Sequence, residues 1–139
     1  MRNMVVGFAF EGNNVLLIRK MRPTWQAGKY NGVGGKLRNQ EEPSVGMQRE
    51  FQEETGLYIQ EANWVKPATM IGPNWNVTVY GVFANIGEAV ATTDEEPMVF
   101  SVNNLPRGSM IDNLEWLVPL TLQKLKRGEP ESVTIYYQK

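Results

Sequence analysis

The sequence predicts an α+β layered domain, a mixed β-sheet with two helices, and three observations carry that prediction. Short runs of β-branched and aromatic residues bounded by turn chemistry recur at both ends of the chain. Two stretches, Pro43 to Thr55 and Asp112 to Lys126, look helical between turn-rich segments. The 139 residues, 42% of them hydrophobic, suffice for one core and leave no room for a second domain, so residues 1–139 read as a single domain.

The elements follow in order. Met4 to Phe10 is an apolar run, Glu11 to Asn14 (EGNN) is turn chemistry and Val15 to Arg19 is a second run, which together predict a hairpin. Arg22 to Gly35 (RPTWQAGKYNGVGG) has five glycines and prolines in fourteen residues and no sustained period, so a loop with at most a short strand is expected. Glu42-Pro43 reads as a helix start, with Pro at the first helical position, and Gly56 as its stop. Its apolar face is thin, with Val45, Met47 and Phe51 the only large apolar residues. Trp64 to Ile71 and Trp75 to Ala84, joined by Gly72-Pro73-Asn74, predict a second hairpin, since Trp75, Val77 and Val79 alternate with Asn76, Thr78 and Tyr80. Gly87 to Pro97 is loop-like, Met98 to Val102 is a short strand, and Asn103 to Asp112 is loop again. In Asp112 to Lys126, Leu114, Leu117, Leu122 and Leu125 fall near helical spacing and Lys124, Lys126 and Arg127 suit the C-terminal dipole, while Pro119 implies a late start or a kink. Val133, Ile135 and Tyr137 alternate in a terminal strand. There are no internal repeats or low-complexity tracts.

Composition narrows the chemistry. Fourteen Lys and Arg against fifteen Asp and Glu give a formal charge of -1, which does not advertise a nucleic-acid or membrane surface. The absence of Cys excludes disulfides and thiol chemistry, and the absence of His removes the commonest general base and metal ligand. Chemistry must rest on carboxylates, Lys, Tyr and hydroxyls. The N-terminal apolar run is too short for a signal peptide and no run of eighteen apolar residues occurs, so a cytoplasmic protein without a membrane span is expected.

One helix gathers three acids. Glu50, Glu53 and Glu54 stand at i, i+3 and i+4 and project together, with Gly46 one turn earlier leaving space beside Glu50. A solvated acidic stripe is one reading, since Glu is a good helix former. The other is a site for a hard divalent cation, Mg²⁺ or Mn²⁺, whose oxygen ligands these carboxylates would supply. The surroundings favour the second: GKLRNQEEPSVGMQREFQEETGL, Gly35 to Leu57, satisfies the pattern G-x5-E-x7-R-E-U-x-E-E-x-G-U, with U a bulky apolar residue, at Gly35, Glu41, Arg49, Glu50, Phe51, Glu53, Glu54, Gly56 and Leu57. In this the chain resembles the Nudix hydrolase family.

The resemblance implies an α/β/α sandwich with a loop-helix-loop motif and metal-dependent hydrolysis of a nucleoside diphosphate linked to another group. Carried over by motif position, Glu50 and Glu54 are the principal metal ligands, Glu53 a ligand or water-activating partner, and the Gly35 carbonyl a further ligand. Arg49 and Glu41 are orienting residues, and Gly56 belongs to the motif's structure. Arg49 also has a purely structural reading, as an offset to repulsion within the helix. Such families often take another acid from a distant loop; of Asp94, Glu95 and Glu96, Glu95 is the choice here as base or extra ligand.

The segment before the motif, WQAGKYNGVGGK, resembles that of MutT-like nucleoside triphosphate pyrophosphatases. The likeness puts Asn31 on a nucleotide base and Trp25 in the pocket wall, and the loop IDNLEWLVPL, Ile111 to Leu120, resembles the same group's region before the last helix, which puts Asp112 and Asn113 near the base edge with Trp116 against it. Lys36, with Lys20, Arg22 and Lys29, is a candidate phosphate contact. The plainer alternatives are that Trp25 and Trp116 are partial core and that Asn31-Gly32 is ordinary turn chemistry. Asn113 stands where a second acid would help read an oxidised purine, and Met110 where an aromatic would stand, so the resemblance leaves the base preference open. The leading expectation is conversion of a nucleoside triphosphate to the monophosphate and pyrophosphate. The alternatives are ADP-ribose, a dinucleotide polyphosphate or a nucleotide sugar as substrate, or nucleotide sensing without hydrolysis. Dimers are common among similar proteins, so a homodimer is compatible with the resemblance.

Overall fold

The computed structural model describes residues 1–128 and 131–138. Its spine is β1 (Arg2–Glu11), whose run VVGFAF has no polar alternation because both of its faces are covered. Val6, Phe8 and Phe10 enter one apolar cluster, and Val5 and Ala9 enter another on the opposite face. The turn at Gly12, with φ of 59°, folds β1 back on β2 (Asn14–Arg19), an antiparallel pair in which Phe10 faces Val15. Along its other edge β1 runs parallel to β6 (Trp75–Phe83), from Arg2 beside Trp75 to Phe10 beside Phe83. β5 (Val65–Ile71) pairs antiparallel with β6, and β8 (Val133–Tyr136) pairs parallel with β5. β3 (Tyr30–Asn31) and β7 (Pro97–Ser101) pair with β2, which completes one mixed sheet.

The segment expected to be loop with at most a short strand differs. It contains β3 and, two residues on, β4 (Val33–Lys36), antiparallel to the N-terminal half of β1 with Lys36 opposite Met4 and Gly35 opposite Val5. The glycines are there for close approach and not for flexibility. A Cβ at Gly32 would stand 2.7 Å from Val6 Cγ2, and one at Gly34 would run into the Val5 carbonyl.

A helix lies on each face, which makes the α/β/α sandwich. α1 (Pro43–Thr55) follows Glu42 in extended conformation and ends at Gly56, whose φ of 76° is the left-handed cap and whose N–H donates to the Gln52 carbonyl at 3.0 Å. Its thin apolar face still suffices, because Met47 and Phe51 are fully buried against β1, β2 and Trp64. Phe51 and Trp64 meet edge to face at 5.2 Å. Gly7 of β1 leaves room for Met47, whose Cε lies 2.7 Å from where a Cβ would be. The space at Gly46 is not beside Glu50, as the helical spacing suggested; Leu37 fills it, with the Glu41 carboxylate next to it.

α2 (Leu114–Arg127) covers the other face through Leu114, Leu117, Val118 and Leu122. It does not start late: Pro119 sits inside the helix on the exposed side. Gly128, with φ of 63°, ends it after the basic last turn. Among the described residues no helix is long and apolar enough to cross a membrane.

Candidate metal and nucleotide site

The helix treats its three glutamates differently, and the reason is geometric. At about 100° per residue, Glu54 falls within the stripe defined by Met47 and Phe51, Glu50 falls at its edge, and Glu53 lies roughly 120° from Met47. Glu54 is accordingly 8% exposed, Glu50 half-buried and Glu53 exposed. Only two of the three acids therefore face into the sheet side of the site.

Glu54 is the anomalous group. Its Oε1 is buried with no hydrogen-bond partner among the described residues. Burial above all, then its hydrogen bond with Glu50 and the negative charges of Glu50 and Glu95, push its carboxyl up to about 9, against the opposing pull of the Lys20 ammonium. A buried orphan oxygen is costly unless something fills its valence. Glu50 lies against the backbone of β4: a Cβ at Gly35 would stand 2.6 Å from Glu50 Oε2. Glu50 and Glu54, packed beside the Gly35 backbone, thus bring hard carboxylate oxygens together in a cradle, which fits a divalent cation of the Mg²⁺ or Mn²⁺ type. The cradle is not a finished coordination sphere, since among the described residues no three acidic side chains converge as a ligand set.

Arg49 organises the outer side. Its Nε and Nη2 donate to Glu41 Oε2 and Oε1 at 2.8 and 2.9 Å, a bidentate pair, and its Nη1 donates to Glu50 at 3.1 Å and to Glu53 at 3.3 Å. Glu41 also accepts the Arg38 N–H at 2.9 Å, and the Arg49 guanidinium holds its carboxyl down at about 2. Arg38 reaches Glu53 at 3.5 Å. The offset of helix repulsion by Arg49 is therefore present together with its grip on the Glu50 carboxylate.

Glu95 is no solvated loop tip. It is 5% exposed, with Lys20 Nζ at 3.2 Å and the N–H groups of Met21 and Arg22 donating to its Oε2 at 2.8 and 3.3 Å. The loop carrying it is pinned to the end of α1, where Val90 N–H donates to the Thr55 carbonyl at 2.9 Å and the Thr92 hydroxyl to that of Glu53. Asp94 instead pairs with Arg22 at 2.6 Å in solvent. The Lys20–Glu95 pair joins residues 75 apart, and no sequence signal pointed to it.

Of the residues proposed for the base, Asn113 lies against Met70 on the other face, whereas register sets Asn31 opposite Ile18 of the cluster under α1. Strand register sets Lys36, Met4, Val77 and Met70 side by side on the α2 side of four adjacent strands. Lys36 and Met70 are three strand spacings apart, about 14 Å. Asn31 donates to Gln26 Oε1 at 3.0 Å and accepts the Gly32 N–H at 2.7 Å, and it sits in β3 rather than in a turn. A parallel bridge from Tyr30 to Met110, with Ile111 N–H donating to the Tyr30 carbonyl at 3.0 Å, brings the chain before Asp112 alongside. Asp112 is exposed, while Asn113 donates to the Tyr137 hydroxyl at 3.2 Å and faces Met70 Sδ at 3.6 Å. Trp25 is 64% exposed and Trp116 42%, so neither is the partial core residue of the plainer reading. Lys29 and Lys36 are exposed, and Lys20 and Arg22 are taken up with Glu95 and Asp94.

A family model described as NUDIX domain matches residues 1–137. Over 116 residues the chain is 31% identical to the oxidized purine nucleoside triphosphate hydrolase of Mus musculus, a match covering 81% of this chain and 74% of the mouse protein. The crystal structure of a NUDIX hydrolase from Nitrosomonas europaea matches with a TM-score of 0.77 at 18% identity, over 99% of this chain and 79% of that one. That of a bifunctional NMN adenylyltransferase/ADP ribose pyrophosphatase from Francisella tularensis, complexed with AMP and a manganese ion, matches with a TM-score of 0.75 at 13% identity, over 88% of this chain and 41% of that one. At such identities the two structural matches speak for the fold.

Proposed function

The chain belongs to the NUDIX family and is a Nudix hydrolase, and from that premise we propose that it converts a nucleoside triphosphate to the monophosphate and pyrophosphate with Mg²⁺ or Mn²⁺. The observation that carries the proposal is the buried, unpartnered Oε1 of Glu54 beside Glu50 and the Gly35 backbone. The mouse relative, named for hydrolysis of oxidized purine nucleoside triphosphates, supports the substrate class. The chain's small negative charge suits a small-molecule substrate in the cytoplasm and no nucleic-acid partner.

Each side chain then has a task. Glu50, Glu54 and the Gly35 carbonyl would hold the cation. When bound it supplies positive charge against the phosphate oxygens and makes an attacking water more acidic. Arg49, fixed by Glu41, orients Glu50 and stays charged at all working pH. Glu53 on the solvent side, or Glu95 on the buried side, accepts the proton of the water, and the two differ in how freely they can take it: Glu53 has long contacts to Arg49 and Arg38, whereas Glu95 is already held by three donors. Lys36 meets the phosphates at the edge of β4, and the base lies along the Met4–Val77–Met70 row toward Asp112–Asn113, with Asn31 at the β3 edge and Trp25 and Trp116 as exposed aromatic walls.

The test is a panel of nucleoside triphosphates, ADP-ribose, dinucleotide polyphosphates and nucleotide sugars with Mg²⁺, scoring pyrophosphate against orthophosphate release, beside Glu54→Gln. Pyrophosphate from a triphosphate, and loss of it in the variant, is the expected result. Turnover of only the other compounds moves the substrate class, and binding without turnover of any compound overturns the hydrolytic reading for this chain.

A further inference from the structure

We propose that Tyr137, with Met70, is a specificity-determining positioning residue that latches the Asn113 amide in one orientation, so that the site offers a base an acceptor and rejects bases without a matching N–H donor. The inference rests on the base-site reading above and deepens it. Asn113 ends the loop before α2, and its side chain makes no cap bond to that helix. It turns to β5 and the end of β8 instead, with Nδ2 3.2 Å from the Tyr137 hydroxyl and 3.6 Å from Met70 Sδ.

The orientation follows from the chemistry of the partners. A thioether sulfur only accepts, so the amide face toward Met70 must be the NH₂ and Oδ1 must turn away. The Tyr137 hydroxyl accepts from Nδ2 and directs its own hydrogen to Met70 Sδ at 3.8 Å, which closes the triangle. Among the described residues Oδ1 has no partner, so an unlatched Asn would present donor or acceptor, whereas this one presents the acceptor. Tyr137 is itself anchored: its N–H donates to the Ile71 carbonyl at 2.8 Å, and its ring lies 5.4 Å from that of Trp75 at 49°. Met70 lies in the same row as Val77, Met4 and Lys36, which puts the latch at the far end of the path that starts with the phosphate contact.

An exocyclic amine is the simplest donor for a fixed acceptor, and paired substrates isolate it. Steady-state kinetics would compare dGTP with dITP, and dATP with purine deoxyriboside triphosphate, in the wild type, Tyr137→Phe, Asn113→Asp and the double variant. The wild type should prefer the amino member of at least one pair. Tyr137→Phe should cut that preference about three- to tenfold, through KM with kcat nearly unchanged, because one neutral hydrogen bond is lost in part of the population. Asn113→Asp needs no latch, since both its oxygens accept, so it should keep the preference and restore it in the Tyr137→Phe background. A thermal midpoint near that of the wild type shows that Tyr137→Phe stays folded; a merely structural role would move that midpoint or kcat and would not be rescued by Asp. An unchanged preference in Tyr137→Phe, or no rescue, overturns the latch. A wild type that does not distinguish either pair also overturns it, and if Asp112→Ala then leaves KM for dGTP unchanged, the base-site reading falls as well.

Discussion

Glu50 occupies the space that a side chain on Gly35 would fill, with its Oε2 2.6 Å from the position of a Cβ there. The glycine is thus a condition for where the carboxylate rests. Gly35→Ala should displace Glu50 and weaken divalent-cation binding about 10- to 100-fold, the range in which loss of a ligand's support acts. A Mn²⁺ titration by electron paramagnetic resonance on the folded variant measures this, and an unchanged isotherm would remove Gly35 from the cradle.

Glu54 gives the metal-free protein a characteristic pH profile. Its folded carboxyl is raised to about 9, above an ordinary 4.5, so the stability it contributes is fully present below 4.5 and is lost as pH rises through 9. Glu54→Gln, which cannot ionise, should match the wild type near pH 5 and exceed it increasingly toward pH 9. Urea midpoints in EDTA across that range measure the difference. The charge removed by this variant is not expressed near neutral pH in the metal-free protein, so no relief of repulsion is expected there.

Cation binding at neutral pH must then expel that proton. Calorimetry of Mg²⁺ binding at pH 7 in two buffers of different ionisation enthalpy should show release of about one proton per site, falling toward zero near pH 10. Glu54→Gln should release almost none, and equal proton counts in the two proteins would contradict a protonated Glu54.

Glu41 has the opposite sign. The Arg49 guanidinium lowers its carboxyl from 4.5 to about 2, so its contribution is present above 4.5 and is lost as pH falls through 2. Between pH 5 and pH 2.5 the wild type should lose more stability than Glu41→Gln. Parallel acid-dependent denaturation curves for the two would count against the bidentate pair.

Lys20→Met should destabilise the fold by about 3 kcal/mol, since it leaves Glu95 buried without its ammonium, and Glu95→Gln in the same chain should recover part of that. A double-mutant cycle on chemical denaturation measures the coupling, and additive single effects would mean that Lys20 and Glu95 do not act as a pair.

The sequence by itself determined what is local. Arg49, Glu50, Glu53 and Glu54 sit within six residues of one helix whose ends are marked by Pro43 and Gly56, and helical geometry alone sets their mutual placement. The alternation in 75–79 and the run VVGFAF carried their strands for the same reason, because pleat and period are properties of a few adjacent residues. The i, i+3, i+4 spacing put the three glutamates together, and the wheel position relative to the buried Met47 and Phe51 is what separates exposed Glu53 from Glu50 and Glu54. What only the tertiary structure decided depends on which strands lie beside which. The glycines at 32–35 read as flexible until the Val5 carbonyl and Val6 side chain stand where their Cβ atoms would be. Glu95 is one choice among three neighbouring loop acids until the fold brings Lys20 and two backbone N–H groups to it across more than 70 positions. Asn113 is placed at the base edge by resemblance, but which way its amide turns is set only by Met70 and Tyr137. Burial and hydrogen-bond partnership are relations between distant segments, so they exist only once the sheet has assembled.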